Sequence, residues 1–111
     1  MIKVEEALTK LRKQYPDCVF YGCAEYPNYY VIAAARKDEI EKRIAGNLDG
    51  GISAFMVFKK DGHIRPRNIA NGKEEFEELW NNITPTAVDI SEYLTSEELG
   101  IKKQVDSFLK D

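Results

Sequence analysis

Four consecutive apolar residues, Phe55-Met56-Val57-Phe58, stand between Gly50-Gly51 and Asp61-Gly62, and no other stretch constrains the fold as much. The run has no polar alternation, so a strand built from it must have both faces covered. Asp61-Gly62 then reverses the chain, because glycine takes a positive φ without steric cost. Residues 63–69 read as the returning strand, and this hairpin is expected at the centre of a small sheet. Pro66 cannot donate to a ladder, which puts the returning strand at an edge.

Helical and extended patterns surround the hairpin. Val4, Ala7, Leu8, Leu11 and Tyr15 recur at helical spacing and predict an amphipathic helix ended by Pro16. Residues 18–23 and 29–36 read as strands joined through Tyr26-Pro27-Asn28. Asp38 is placed to cap a short helix over 39–45, with Gly46 as its stop. Phe76, Leu79, Trp80 and Ile83 make an apolar stripe on a further helix, with Glu75, Glu77 and Glu78 outward, until Thr84-Pro85 breaks it. Thr95 or Ser96 caps a last helix carrying Ile101, Val105, Phe108 and Leu109. The expected fold is α+β: a four-stranded, mainly antiparallel sheet of two hairpins, with N-terminal and C-terminal helices packed on one face. An alternative inserts a parallel neighbour between the hairpins, since residues 37–51 are long enough for a crossover. The 111 residues make one domain, 1–111, with residues 84–111 read as a looser helical appendage.

The length of the central turn decides which side chains are exposed. A two-residue loop sets Phe58 opposite Arg65 and Met56 opposite Arg67. A three-residue loop, Lys60 to Gly62, sets Phe58 opposite Ile64 and gives one wholly apolar face, so it is preferred. Ala54, Met56, Phe58 and Ile64 then face the helices. Phe55, Val57, Lys59, His63, Arg65 and Arg67 share an open face, and Phe55, Lys59, Lys60, His63, Arg65 and Arg67 form a candidate binding patch.

Charge is unevenly spread along the chain. Residues 1–73 carry 13 Lys/Arg against 9 Asp/Glu, and residues 74–111 carry 3 against 10, so the two parts differ in sign. Glu74, Glu75, Glu77 and Glu78, with Glu92, Glu97 and Glu98, mark an acidic interaction surface. The first residues carry no apolar signal core and no run approaches a membrane span, so a cytoplasmic protein without a membrane role is expected. Cys18 and Cys23 lie on one predicted strand, ~16 Å apart and on opposite faces, which excludes a mutual disulfide.

Catalytic chemistry has one weak candidate, a Cys23 nucleophile with His63, the only histidine, as base. No activating motif surrounds Cys23, and a packed thiol beside a surface histidine explains the pair more simply. One histidine and two divergent cysteines do not make a metal site, and no cofactor motif is present. The preferred reading is a non-catalytic protein-interaction domain of the inhibitor, immunity or adaptor type, whose partner is another protein. A nucleic-acid-binding module using residues 59–67 is the first alternative, and a small Cys/His enzyme the second. An open strand edge also allows homo-oligomers. The run from Pro16 to Gly62 resembles small bacterial or phage proteins in general character, without a named motif.

Overall fold

The computed structural model of the chain describes residues 1–38, 53–68 and 72–110; the short helix read over 39–45 lies outside them. In chain order the elements are α1 (Val4–Gln14), β1 (Cys18–Glu25), β2 (Tyr29–Arg36), β3 (Ser53–Phe58), β4 (Ile64–Pro66), α2 (Lys73–Trp80), β5 (Thr86–Val88), a 3-10 turn (Ser91–Tyr93) and α3 (Ser96–Lys110). The strands form one antiparallel sheet in the order β4-β3-β2-β1-β5. The α+β class, both hairpins and the edge position of β4 agree with the sequence reading. The fifth strand comes from the stretch read as a helical appendage. β2, not the β3–β4 hairpin, is central, and it pairs directly with β3 with no parallel neighbour between them.

α1 forms where its apolar stripe predicts, with Glu5 and Glu6 in the first turn and Arg12 and Lys13 in the last, complementing the macrodipole. Its buried Ala7, Leu8 and Leu11 pack on Phe20, Tyr30, Ile32, Ala34, Phe55 and Val57 of the sheet, with Ile90 beside them. Burying each leucine is worth about 1.5–3 kcal/mol, so this face holds most of the apolar stabilisation. Tyr15 closes the end of the layer by stacking on Phe55, ring centroids 4.4 Å apart.

β1 contains a bulge that the sequence reading missed. Phe20 pairs with Ala34 and Gly22 with Ala33, which leaves Tyr21 as the extra residue. An extra residue shifts the inside–outside alternation by one. Cys18 and Cys23, expected on opposite faces, therefore both adjoin the α1 side of the sheet. Neither is in a disulfide. Tyr21 joins Val19 and Ala35 on the second face, where Ile101 of α3 packs against them.

The central turn is longer than either expectation. Val57 pairs with Ile64 and Met56 with Arg65. The Phe58 amide donates to the His63 carbonyl at 2.8 Å, so the loop holds four residues, Lys59 to Gly62. Gly62 sits at φ 74°, and the Asp61 carboxylate accepts the His63 amide at 2.9 Å. The extra residue overturns the preferred facing. Phe55, Val57 and Ile64 lie on the α1 side, while Met56, Phe58 and Arg65 share the second face. Arg67, whose amide donates to the Ala54 carbonyl at 2.9 Å, lies there too.

Candidate functional site

The four-residue loop puts two guanidinium groups, Arg65 and Arg67, onto the second face of the sheet. α2 crosses this region and meets them with carboxylates. Arg65 donates to Glu75 at 2.5 and 3.0 Å and to Glu74 at 2.8 Å. Arg67 donates to both oxygens of Glu78, at 3.0 and 2.7 Å. Glu75 also accepts the Asn68 amide at 2.5 Å, and the Tyr29 hydroxyl donates to Glu78. Burial works against the charged form of Glu75, but the Arg65 and Asn68 donors outweigh it and hold its pKa down to about 2. The same cluster keeps the Tyr29 phenol protonated: burial comes first, then the Glu78 carboxylate that accepts its hydroxyl.

These ion pairs decide how α2 is rolled. A cation buried without a partner costs several kcal/mol, more than leaving one apolar side chain in water. Glu75 and Glu78 are three residues apart, so they share one side of the helix. Once they turn inward, the stripe expected in the core turns outward. Phe76 is 62% exposed, Leu79 79% and Trp80 76%. The expectation that Glu75 and Glu78 lie on the wet side is thereby overturned.

Asn82 completes the arrangement. It adopts φ 53°, with its amide directed to the Leu79 carbonyl at 3.4 Å and the Ile83 amide to the Glu78 carbonyl at 2.9 Å. This is a Schellman-type stop, in which asparagine tolerates the left-handed position. It ends α2 three residues before the break read at Thr84-Pro85 and returns Ile83 to a cluster with Tyr26, Tyr29 and Met56. The outward ridge thus consists of Phe76, Leu79 and Trp80, the Phe76 and Trp80 rings being stacked with centroids 6.0 Å apart. A groove of about 540 Å³ runs beside it, between Tyr26, Arg67, Leu79 and Ile83.

The predicted basic patch is dispersed rather than assembled. Phe55 is buried against Tyr15. Lys59 is buried, donating to Glu25 at 2.6 Å over the Tyr30 ring. Arg65 and Arg67 are taken by α2, and of the six residues Lys60 and His63 are the ones that stay exposed. The acidic surface divides as well. Glu77 is exposed, Glu74, Glu75 and Glu78 bind arginine, and Glu98 is buried against Arg12. Sequence reasoning missed the ridge because the spacing of Phe76, Leu79 and Trp80 says that they share a side, not that the side faces water.

Cys23 and His63 are not brought together. Cys23 is on β1 and His63 precedes β4, with β2 and β3 between them, so about 14 Å separates their strands. Burial, helped by the Glu25 carboxylate, pushes the Cys23 thiol up to about 12. At neutral pH it is expected to alkylate at least tenfold more slowly than a free-cysteine peptide. Mass-resolved iodoacetamide labelling reads this, and a faster rate would reinstate Cys23 as a nucleophile. Among the described residues no group of three His, Cys, Asp or Glu is placed to hold a metal, and no helix is long and apolar enough to cross a membrane. Comparison with protein-family models, with curated proteins and with solved structures returned no match.

Proposed function

We propose that this chain is a non-catalytic protein-interaction domain that docks through the outward ridge of α2. The observation that carries the reading is the orientation of that helix: its carboxylates are turned onto the sheet and Phe76, Leu79 and Trp80 into water. Leaving each of three large apolar side chains exposed forgoes about 1.5–3 kcal/mol, which a partner's surface would recover. Trp and aromatic anchors at helical spacing are the usual centre of an interface. An inhibitor, immunity-type or adaptor domain would meet its partner through this ridge. That neither Cys18 nor Cys23 is in a disulfide supports a reducing compartment, the cytoplasm.

A photo-crosslinking residue in place of Phe76 or Trp80 is expected to capture a discrete protein adduct in a host extract. The same residue in place of exposed Lys13 on α1 is not. Absence of an adduct from both ridge positions would sink the reading. The ridge should also be dispensable for folding. Leu79→Ser and Trp80→Ser are expected to change the unfolding free energy of the dilute protein by less than about 0.5 kcal/mol in urea titrations. A loss of about 2 kcal/mol would mean instead that these side chains are core.

A further inference from the structure

We infer that the occupant of the α2 ridge is a second copy of this chain, packed with its own α2 antiparallel about a two-fold axis; the inference rests on the docking role proposed above. Charge points to this occupant. Lys73 is exposed in the first turn of α2, where the helix N-terminus disfavours a cation. The last turn carries no basic residue. An antiparallel copy corrects both. With the axis near Glu78, Phe76 of each copy lies against Trp80 of the other, and each Lys73 reaches the partner's C-terminal carbonyls beyond Trp80. A parallel pairing would instead set the two lysines side by side.

The size and chemistry of the surface fit a homodimer. The three ridge side chains offer on the order of 400 Å² of apolar surface per copy, about half of the ~800 Å² that each partner buries in a stable interface. The flanks, Lys73, Glu77, Asn82 and Thr84, are exposed and polar, as the rim of such an interface is. An apolar centre of Phe, Leu and Trp with its charges at the edge is more typical of homodimers than of transient contacts. A two-fold axis also closes the assembly, so the ridge is used up and no fibre grows.

Trp80 is the only tryptophan in the chain and lies in the ridge, so it reports the contact directly. Sedimentation of the wild-type chain over about a hundredfold dilution, with Trp80 emission read on the same samples, tests the assignment. The expected result is a mass of two 12.7 kDa chains with blue-shifted emission at high concentration, both reverting on dilution. Phe76→Asp, and the milder Leu79→Ser, are expected to be monomeric throughout with an unchanged far-ultraviolet spectrum. Lys13→Glu, exposed on α1 away from the ridge, should dimerise as wild type. A dimer that survives both ridge variants overturns the assignment by placing the contact elsewhere. A wild-type monomer with solvent-exposed emission overturns the second copy but leaves the docking role to the cross-linking test. A monomer with blue-shifted emission overturns both, because another part of the same chain then covers the ridge.

Discussion

Replacing Glu98 with alanine is expected to lower the unfolding free energy by about 3 kcal/mol, read as a reduced urea midpoint at unchanged slope. The carboxylate is 2% exposed and carries four bonds. It accepts Arg12 at 2.8 and 2.7 Å, the Phe20 amide at 2.9 Å and the Thr95 amide at 3.0 Å. Phe20 lies on the part of β1 that β5 does not reach, since β5 pairs only with Cys23 to Glu25. Glu98 thus satisfies an amide that β5 leaves open, and Thr95 Oγ1 accepts the Glu98 amide at 3.2 Å as its cap. Burial alone would raise this carboxyl, yet the donors from Arg12, Thr95 and Phe20 leave its pKa below the ordinary range. The neighbouring Glu97→Ala is the control. Its ion pair with Lys37, at 3.1 Å, has both side chains more than half exposed and is worth less than about 0.5 kcal/mol. Equal losses from the two substitutions would refute this account.

Arg65→Ala is expected to cost a similar amount, about 3 kcal/mol, and more than Glu75→Ala. The asymmetry follows from exposure: the Arg65 side chain is 25% exposed and that of Glu75 only 1%. An orphaned Arg65 can turn to water, whereas an orphaned Glu75 stays buried with the Asn68 amide and its own backbone amide as donors. Acid should reveal the same pair. The folded pKa of Glu75, about 2, lies below the ~4.3 of a free glutamate, so its contribution is present above about pH 4 and lost as pH falls toward 2. Without Arg65 that contribution is absent from the start. The stability gap between wild type and variant is therefore expected to narrow from about pH 5 downward in acid-titrated urea unfolding. A gap that stays constant to about pH 2 would show that the pair does not hold α2.

Local patterns made much of this fold legible. The stripe of Ala7, Leu8 and Leu11, the Tyr/Val/Ile content of β2 and the run Phe55 to Phe58 each specify their element within a few residues. The T-x-x-E spacing of Thr95 and Glu98 marks the start of α3, and it is the one signal that could have singled out Glu98. What failed depends on contacts distant in sequence or on one-residue shifts. Nothing in Phe20-Tyr21-Gly22 distinguishes a bulge from regular pairing until Ala33 and Ala34 lie opposite. Asp61-Gly62 marks a turn but does not count its residues. That miscount carried over into the site, because it moved Arg65 and Arg67 to the face where α2 lies. The roll of α2 was then settled by pairs between β4 and α2, and periodicity within the helix is blind to them.

α1 and α2 are thus held by different forces, and those forces respond differently to heat. Apolar burial under α1 weakens on cooling, because the hydrophobic contribution fades toward low temperature. The desolvation penalty on the Arg65 and Arg67 pairs that hold α2 falls on heating. On heating, the apolar hold on α1 levels off, while the ion-pair grip of α2 on the sheet keeps improving. The protein's two faces age differently along the temperature axis, with the α2 face the better suited to heat.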